Sequence, residues 1–242
     1  MGATCLNDID TIILAGGAGT RLRSVYADRP KVLVPINGKP FLRHCIEWLG
    51  RFGARRVILA LGHKADMVQD YVKTQDWRGL EIVTSVEAEP LDTGGAVRAA
   101  LPCVLSHRVL VLNGDSLTRV DVCELVKRHR TRNALLSIVL THRPEARQSG
   151  LVETDEDGLV TRFREKPAGA ETGGYISAGI YLMEQAAVRE IEPGRRVSIE
   201  REVFPHFCGR AFYAMKGEFP FIDIGTPESL QRAEEFFAME AA

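Results

Sequence analysis

Three short stretches of the chain, residues 11–15 (TIILA), 57–61 (VILAL) and 109–112 (VLVL), are apolar without alternation. Runs this short suit strands better than helices, and a strand with one face in water would alternate polar and apolar residues. Strands without alternation are buried on both faces, as in a parallel sheet held between helices. The intervening segments agree. Phe41, Leu42, Cys45, Ile46, Leu49 and Phe52 recur at helical spacing, with Pro40 fitting the first helical position and Gly53 the stop. A short helix closing at Tyr71 and Val72, a strand from Leu80 to Ser85, a helix from Ala96 to Leu101 ended by Pro102, and a helix from Val122 to His129 complete the pattern.

After residue 133 the texture changes. Residues 134–141, 151–154, 160–164 and 175–183 are strand-like with few helices between them, which predicts antiparallel additions to the same sheet or a β-rich lid. The fold class expected is α/β: a doubly wound, mostly parallel, Rossmann-like sheet with antiparallel additions in the C-terminal half. No linker, low-complexity stretch or repeat interrupts the chain. Residues 1–242 are therefore expected to form a single domain with two functional halves, at about 10–133 and about 134–236.

Lys and Arg number 31 against 32 Asp and Glu, a net charge of −1, so no basic excess points to nucleic acid. Cys5, Cys45, Cys103, Cys123 and Cys208 are widely spaced, odd in number and form no C-x-x-C. That spacing predicts neither a zinc site nor a disulfide framework, and fits a reducing compartment. Residues 1–10 lack the basic and apolar regions of a signal peptide, and Leu6 stands where myristoylation after Met1-Gly2 needs Ser or Thr. No apolar run reaches membrane-spanning length. The chain reads as a cytoplasmic protein, with no membrane partner.

The loop after the first strand reads Gly16-Gly17-Ala18-Gly19-Thr20-Arg21-Leu22 and runs on to Pro30-Lys31. Open α/β sheets bind ligands beyond the carboxyl ends of their strands, and glycines let backbone N–H groups approach a polyphosphate. A P-loop is excluded because no Lys follows a suitable glycine, and the dinucleotide fingerprint needs a small residue where Leu22 stands. Arg21 and Lys31 beside such a loop would neutralise a triphosphate and the charge that develops as pyrophosphate leaves. The bland alternative is a glycine-rich surface turn with solvated charges. Asp115 ends the fourth strand in Asn113-Gly114-Asp115, and Asp223 precedes a helix opened by Thr226 and Pro227. Mg²⁺ takes one or two carboxylates plus phosphates and water, so the pair suits a phosphate-bound Mg²⁺. Taken singly, each is equally a turn or helix-entry residue. Asp92 or Thr93, before Gly94 and Gly95, is placed to cap a helix, and the stretch Leu91 to Ala96 also resembles a base-binding turn whose backbone groups would read a base edge.

The string G-G-x-G-T-R-L followed by P-K-V-L-V-P resembles the signature of the sugar-1-phosphate nucleotidyltransferase family. That family includes glucose-1-phosphate thymidylyltransferases and mannose-1-phosphate guanylyltransferases. The resemblance covers residues 10 to about 236 and implies a nucleotide-binding first half and a sugar-phosphate-binding second half. It implies that Arg21 and Lys31 contact the nucleotide phosphates, that Asp115 and Asp223 bind the metal, and that Lys166 of Phe163-Arg164-Glu165-Lys166-Pro167 holds the sugar's phosphate while Glu165 accepts its hydroxyls. Arg21, Lys31 and Lys166 are thus the expected catalytic residues. Leu14, Ala15, Gly16, Gly17, Gly19, Thr20, Asp92, Thr93, Gly94, Gly95, Asn113 and Gly114 complete the expected nucleotide site. Gly150, before Leu151-Val152-Glu153, and Ser177 and Gly179 of S-A-G-I-Y complete the expected sugar site. Ser177 departs from the Asn that many members carry there.

The compact length, S-V-Y-A-D-R-P-K and E-P-L-D-T-G-G-A resemble most the D-glycero-D-manno-heptose 1-phosphate guanylyltransferases. The expected substrates are therefore GTP and that heptose phosphate, and the product would feed surface-polysaccharide synthesis. Uridylyl or thymidylyl transfer to N-acetylmuramic acid, mannose or glucose 1-phosphate is the alternative. A non-catalytic nucleotide- or sugar-phosphate-sensing subunit is an alternative of another class, disfavoured by Arg21, Lys31, Asp115, Asp223 and Lys166 occurring together. Choline-phosphate cytidylyl transfer is disfavoured by E-K-P. Homo-oligomerisation stays open.

Overall fold

The computed structural model describes residues 4–17, 19, 22, 25–144, 151–164 and 173–238. Its elements begin with β1 (Asp10–Leu14), the short β2 (Pro35–Ile36) and β3 (Lys39–Pro40), α1 (Phe41–Arg51), β4 (Arg56–Leu61), α2 (Ala65–Lys73) and β5 (Glu81–Val86). They continue with α3 (Asp92–Ala100), β6 (Arg108–Asn113), β7 (Ser116–Thr118), α4 (Val122–Thr131), β8 (Leu136–Arg143), β9 (Leu151–Thr154) and β10 (Val160–Arg164). β11 (Gly174–Glu184), α5 (Gln185–Arg189), a π-helical turn (Ile199–Val203), α6 (Phe204–Phe207), β12 (Phe212–Gly217), β13 (Phe221–Asp223) and α7 (Pro227–Ala238) follow.

The apolar runs are the central strands. β1 pairs in parallel with β4 on one side and β6 on the other, and β4 pairs in parallel with β5. The chain thus builds outward from β1 through β4 to β5, then returns past β1 to place β6. The order reverses between β1 and β6, where an open α/β sheet holds its ligand crevice. Both faces of these strands are buried. Ile13, Leu59, Leu110 and Leu112 pack with α1, α4 and α7, while Ile12, Ile58, Val109 and Val111 pack with α3, α5 and α6. This removes the alternation that a one-sided sheet would show.

The second half adds its strands to the same sheet, as antiparallel additions. β11 runs antiparallel to β6 through Ile180–Glu184 and to β8 on its other side, and its earlier part meets β9, which carries β10. Its register with β8 shifts between Ser177 and Tyr181, and Gly179 takes a φ of +73° within that shift. A side chain at Gly179 would stand 2.5 Å from the Ser116 hydroxyl, so only glycine lets the strand bend there against the turn after β6.

Three expectations need correction. Helix α3 begins at Asp92, not near Ala96. Its first turn holds two poor helix formers, Gly94 and Gly95, because the Arg195–Val197 backbone lies against it. A Cβ on Gly95 would meet the Arg195 carbonyl at 2.6 Å. Pro40 is the residue before α1 rather than its first. Finally, Cys5 and Cys123, 118 residues apart, form a disulfide. Sequence spacing gave no sign of it because the fold alone carries the N-terminal segment to the start of α4. The cysteines therefore do not argue for a reducing compartment. Among the described residues no helix is long and apolar enough to cross a membrane.

Candidate active site

The turns after β1, β4, β5 and β6 converge on one cleft. Leu14, Gly17, Gly114 and Asp115 line both a smaller part of about 200 Å³ and a larger part of about 760 Å³. The close approach of the β1 and β6 ends depends on Gly114. Its N–H donates to the Leu14 carbonyl at 2.9 Å, and a Cβ there would lie 2.3 Å from that oxygen. Gly17 faces open space, and Gly19 takes a φ of +57° beside the Lys31 side chain.

Lys31 and Asp115 line the smaller part, and Asp223 adjoins it through Gly225. Lys31 opens a 3-10 turn after Pro30, is largely buried, and donates to Asp115 Oδ2 at 2.7 Å. Asp223 arrives through the pairing of β13 with β7, which sets it opposite Ser116, while the Ile224 N–H donates to the Asp115 carbonyl. Gly225 donates to Asp223 Oδ1 at 2.9 Å, and a Cβ there would stand 3.6 Å from Lys31 Nζ. Two carboxylates more than a hundred residues apart thus share a corner with one ammonium. Among the described residues no group of three or more His, Cys, Asp or Glu could hold a metal without help.

The larger part of the cleft runs between α3 and the turns after β4 and β5. Glu87, one residue past β5, inserts its carboxylate between two glycine turns. A Cβ on Gly16 would stand 2.9 Å from Glu87 Oε1, and one on Gly62 only 2.4 Å. Glu87 Oε2 accepts from the Leu91 N–H, and burial holds the carboxyl above the usual carboxylate range. Asp92, Thr93, Asn113 and Glu200 also line this part.

The expected site residues divide accordingly. Leu14, Ala15, Gly16, Gly17, Gly19, Lys31, Asp92, Thr93, Asn113, Gly114 and Asp115 line the cleft, with Asp223 in contact through Gly225. Gly94 and Gly95 are buried in the first turn of α3. Their N–H groups both donate to the Val197 carbonyl. The expected capping at α3 also differs. Asp92 takes a φ of +60° and accepts from the Thr93 N–H, whereas the Thr93 hydroxyl binds Glu200 and the Ile199 N–H. Ser177 and Gly179 lie behind the cleft. The Ser177 hydroxyl pairs with Tyr181 at 3.1 Å, and Gly179 packs on Asn113 and Ser116. Thr20, Arg21, Gly150, Glu165 and Lys166 lie outside the described residues. Among the histidines, His129 is buried between Ser137 and Glu184, and burial lowers its pKa, as a structural residue's would be.

Glu87, Gly62, Gly225 and Glu200 escaped the reading of the sequence. For Glu87 and Gly62 a signal existed: each directly follows a parallel strand, as Gly114 does.

A family model described as nucleotidyl transferase matches residues 10–240. The chain belongs to the nucleotidyl transferase family. Within it, the chain is 35% identical, over 94% of its length and 97% of the other protein, to D-glycero-alpha-D-manno-heptose 1-phosphate guanylyltransferase from Aneurinibacillus thermoaerophilus. It is 33% identical, over 93% of its length, to the mannose-1-phosphate guanylyltransferase of Mycobacterium tuberculosis, of which it spans 64%. Among solved structures, HddC from Yersinia pseudotuberculosis complexed with GMP-PN superposes with a TM-score of 0.81 at 33% identity, covering 95% of this chain and 99% of that one. The Rossmann-like architecture of this nucleotidyl transferase is thus shared with that structure.

Proposed function

We propose that this nucleotidyl transferase moves GMP from GTP to D-glycero-alpha-D-manno-heptose 1-phosphate, forming the nucleotide sugar and pyrophosphate in the cytoplasm. The observation that carries the reading is the cleft's polarity. A Lys–Asp–Asp corner suited to polyphosphate lies at the switch point, and an acceptor-only carboxylate, Glu87, lies beyond it between Gly16 and Gly62. Guanine presents two adjacent donors on its pairing edge, N1–H and the 2-amino group. Uracil and thymine present one, flanked by carbonyls. A carboxylate accepts two hydrogen bonds from guanine and meets an acceptor on the other bases. The heptose and mannose relatives, both named as guanylyltransferases, support the base, and the full-length match to the heptose enzyme supports the sugar.

The residues present fit a Mg²⁺ ion. Asp115 already holds an ammonium at 2.7 Å, Asp223 stands beside it, and the two carboxylates leave the remaining positions for phosphate oxygens and water. Bound there, Mg²⁺ would neutralise phosphate charge. The chain's own part is positioning. A phosphate monoester oxygen is anionic near neutral pH and attacks the α-phosphorus in line with departing pyrophosphate, so no general base is required. Lys31, held in place by Asp115, stabilises charge on the triphosphate. Arg21, Lys166 and Glu165 take the roles that the family resemblance implies.

Pyrophosphate release with GTP, UTP, dTTP, CTP and ATP, each against heptose, mannose, glucose and N-acetylmuramic acid 1-phosphates, tests the assignment. Turnover confined to GTP and the heptose phosphate is expected. Preference for mannose 1-phosphate would replace the sugar, and preference for UTP would remove Glu87 as the base reader. In the Asp223→Asn variant the Mg²⁺ requirement is expected to rise with the fold intact, whereas an unchanged Mg²⁺ titration would place the metal elsewhere.

A further inference from the structure

The amino ends of β4 and β5 hold a second cavity, of about 820 Å³, at the opposite end of these strands from the cleft. Each strand is six residues long, so about 20 Å separates the two at ~3.3 Å per residue. The cavity walls are the turn before β4, the turn before β5 and one face of α1, which presents Arg43, Glu47, Gly50 and Arg51 at helical spacing. Lys39, Arg43, Arg51, Arg55 and Arg78 line it, five cations against the two carboxylates of Glu47 and Asp76. That is an excess of positive charge in a chain whose net charge is −1. Glu47 is shared by Lys39 at 3.3 Å and Arg43 at 2.8 Å. Asp76 turns to the backbone, where its Oδ1 accepts the Arg78 N–H. Among the described residues no carboxylate pairs with Arg55 or Arg78.

Two backbone features set this cavity apart from an ordinary charged surface. Arg78 takes a φ of +51° ahead of Gly79 at +83°, in a tight turn whose first position favours Asn, Asp or Gly. An arginine there is held against its backbone preference, and such strain recurs at ligand sites. Gly50 stands in the last turn of α1, yet a Cβ there would meet nothing within 4 Å. Packing does not ask for glycine, and alanine would favour the helix. The missing methyl opens the helix backbone to the cavity. Trp77 supplies an apolar surface. Its Nε1 donates to the Val72 carbonyl at 3.0 Å, which fixes the ring, and the Arg43 guanidinium lies 5.5 Å from the ring centre.

Guanidinium forks match phosphate oxygens, and several around one cavity suit linked phosphates better than a single one. We propose that this cavity binds a diphosphate group, free or carried by a nucleoside, at a site separate from the reaction cleft. Arg55 and Arg78 hold the phosphates, and Trp77 bounds the space left for a nucleoside. The site does not depend on the reaction proposed above.

Fluorescence of Trp77 reads the site directly, because Trp48, the other tryptophan, is buried in the core. Inorganic pyrophosphate and GDP are titrated at constant ionic strength into wild type, a variant combining Arg55→Gln with Arg78→Gly, Gly50→Glu and Lys31→Ala. Wild type is expected to show a saturable change that Trp77→Phe lacks. The combined variant should bind about 10-fold more weakly or worse, the size of the lost charge-assisted hydrogen bonds. Gly50→Glu, which sets a like charge against the phosphates, should weaken binding at least as much. Glycine suits the left-handed backbone at position 78, and glutamate replaces a poor helix former at position 50, so neither variant should melt below wild type. Lys31→Ala should titrate as wild type does. Tighter binding of GDP identifies a nucleoside diphosphate as the ligand, and equal binding the inorganic anion. No saturable change, a change that persists in both cavity variants, or one that disappears in Lys31→Ala overturns the proposal. So does an equal response to sodium chloride at the same ionic strength, which would reduce the effect to screening of surface charge.

Discussion

Replacing Glu87 by Gln changes one atom of the cleft and should change the choice of base. The carboxylate is fixed by the Leu91 N–H and by the two glycine turns, with Gly62 near enough that a methyl group there would stand 2.4 Å from Oε1. Two hydrogen bonds from guanine to a charged acceptor are worth about 1.5–3 kcal/mol each. Gln offers one neutral acceptor and sets its NH₂ donors against the other guanine donor. The loss expected is about 3–4 kcal/mol, or about 10²- to 10³-fold in kcat/KM for GTP at ~1.4 kcal/mol per decade. Uracil's donor and adjacent carbonyl suit an amide, so UTP should gain. The pH profile adds a second signature. Burial raises the Glu87 pKa, so GTP selectivity should fall with acidification at a higher pH than an exposed Glu would show, and Gln should abolish that limb. A carboxyl raised in the folded state contributes stability below its unfolded pKa and loses it as pH rises through the folded pKa, so Glu87→Gln should be no less stable at neutral pH. Pyrophosphate release across the five nucleotides measures all of this. A GTP kcat/KM within about threefold of wild type, or an equal fall for every nucleotide, would refute the reasoning.

Other residues allow equally direct tests. Lys31→Ala should lower kcat by about 10²-fold or more if the ammonium stabilises charge on the leaving pyrophosphate, and near-normal turnover would remove Lys31 from the mechanism. Gly114→Ala forces a Cβ to within 2.3 Å of the Leu14 carbonyl, and relief requires the ends of β1 and β6 to part by about 1 Å. Urea unfolding should show a loss of about 1–3 kcal/mol, and kcat should fall by up to about 10²-fold as Asp115 is displaced. Wild-type values for both would mean that the close approach is not needed. Cys5→Ser should lower stability by about 2–4 kcal/mol under oxidising conditions, and reduced wild type should match it. Equal melting of oxidised wild type and the variant would deny the disulfide a stabilising role.

Much of this was written locally, and some was not. The uninterrupted apolar runs specify strands buried on both faces, and the helices between them make the sheet parallel. Lys31, Asp115 and Asp223 were legible as residue types next to glycine turns. Their meeting was implied by the resemblance and by no local pattern, since it depends on β13 pairing with β7. Glu87 lies in a stretch rich in acids, Glu87 and Glu89 among them, and only the closure of the Gly16 and Gly62 turns singles it out. Gly94 and Gly95 read as a ligand loop because close approach to any backbone asks for glycine, whether the partner is a nucleotide or, as here, the Arg195–Val197 segment. The Cys5–Cys123 bond shows the same limit, since no local pattern reports which of five cysteines the sheet brings together.

The measurement that bears most directly on the central claim is phosphorus NMR of the protein with GTP, Mg²⁺ and D-glycero-alpha-D-manno-heptose 1-phosphate. The account predicts that the heptose phosphate and GTP signals disappear together, replaced one for one by a nucleotide-sugar diphosphate and pyrophosphate. Release of inorganic phosphate and GDP, or unchanged substrates beside a folded protein for every nucleotide and sugar phosphate tried, would contradict it.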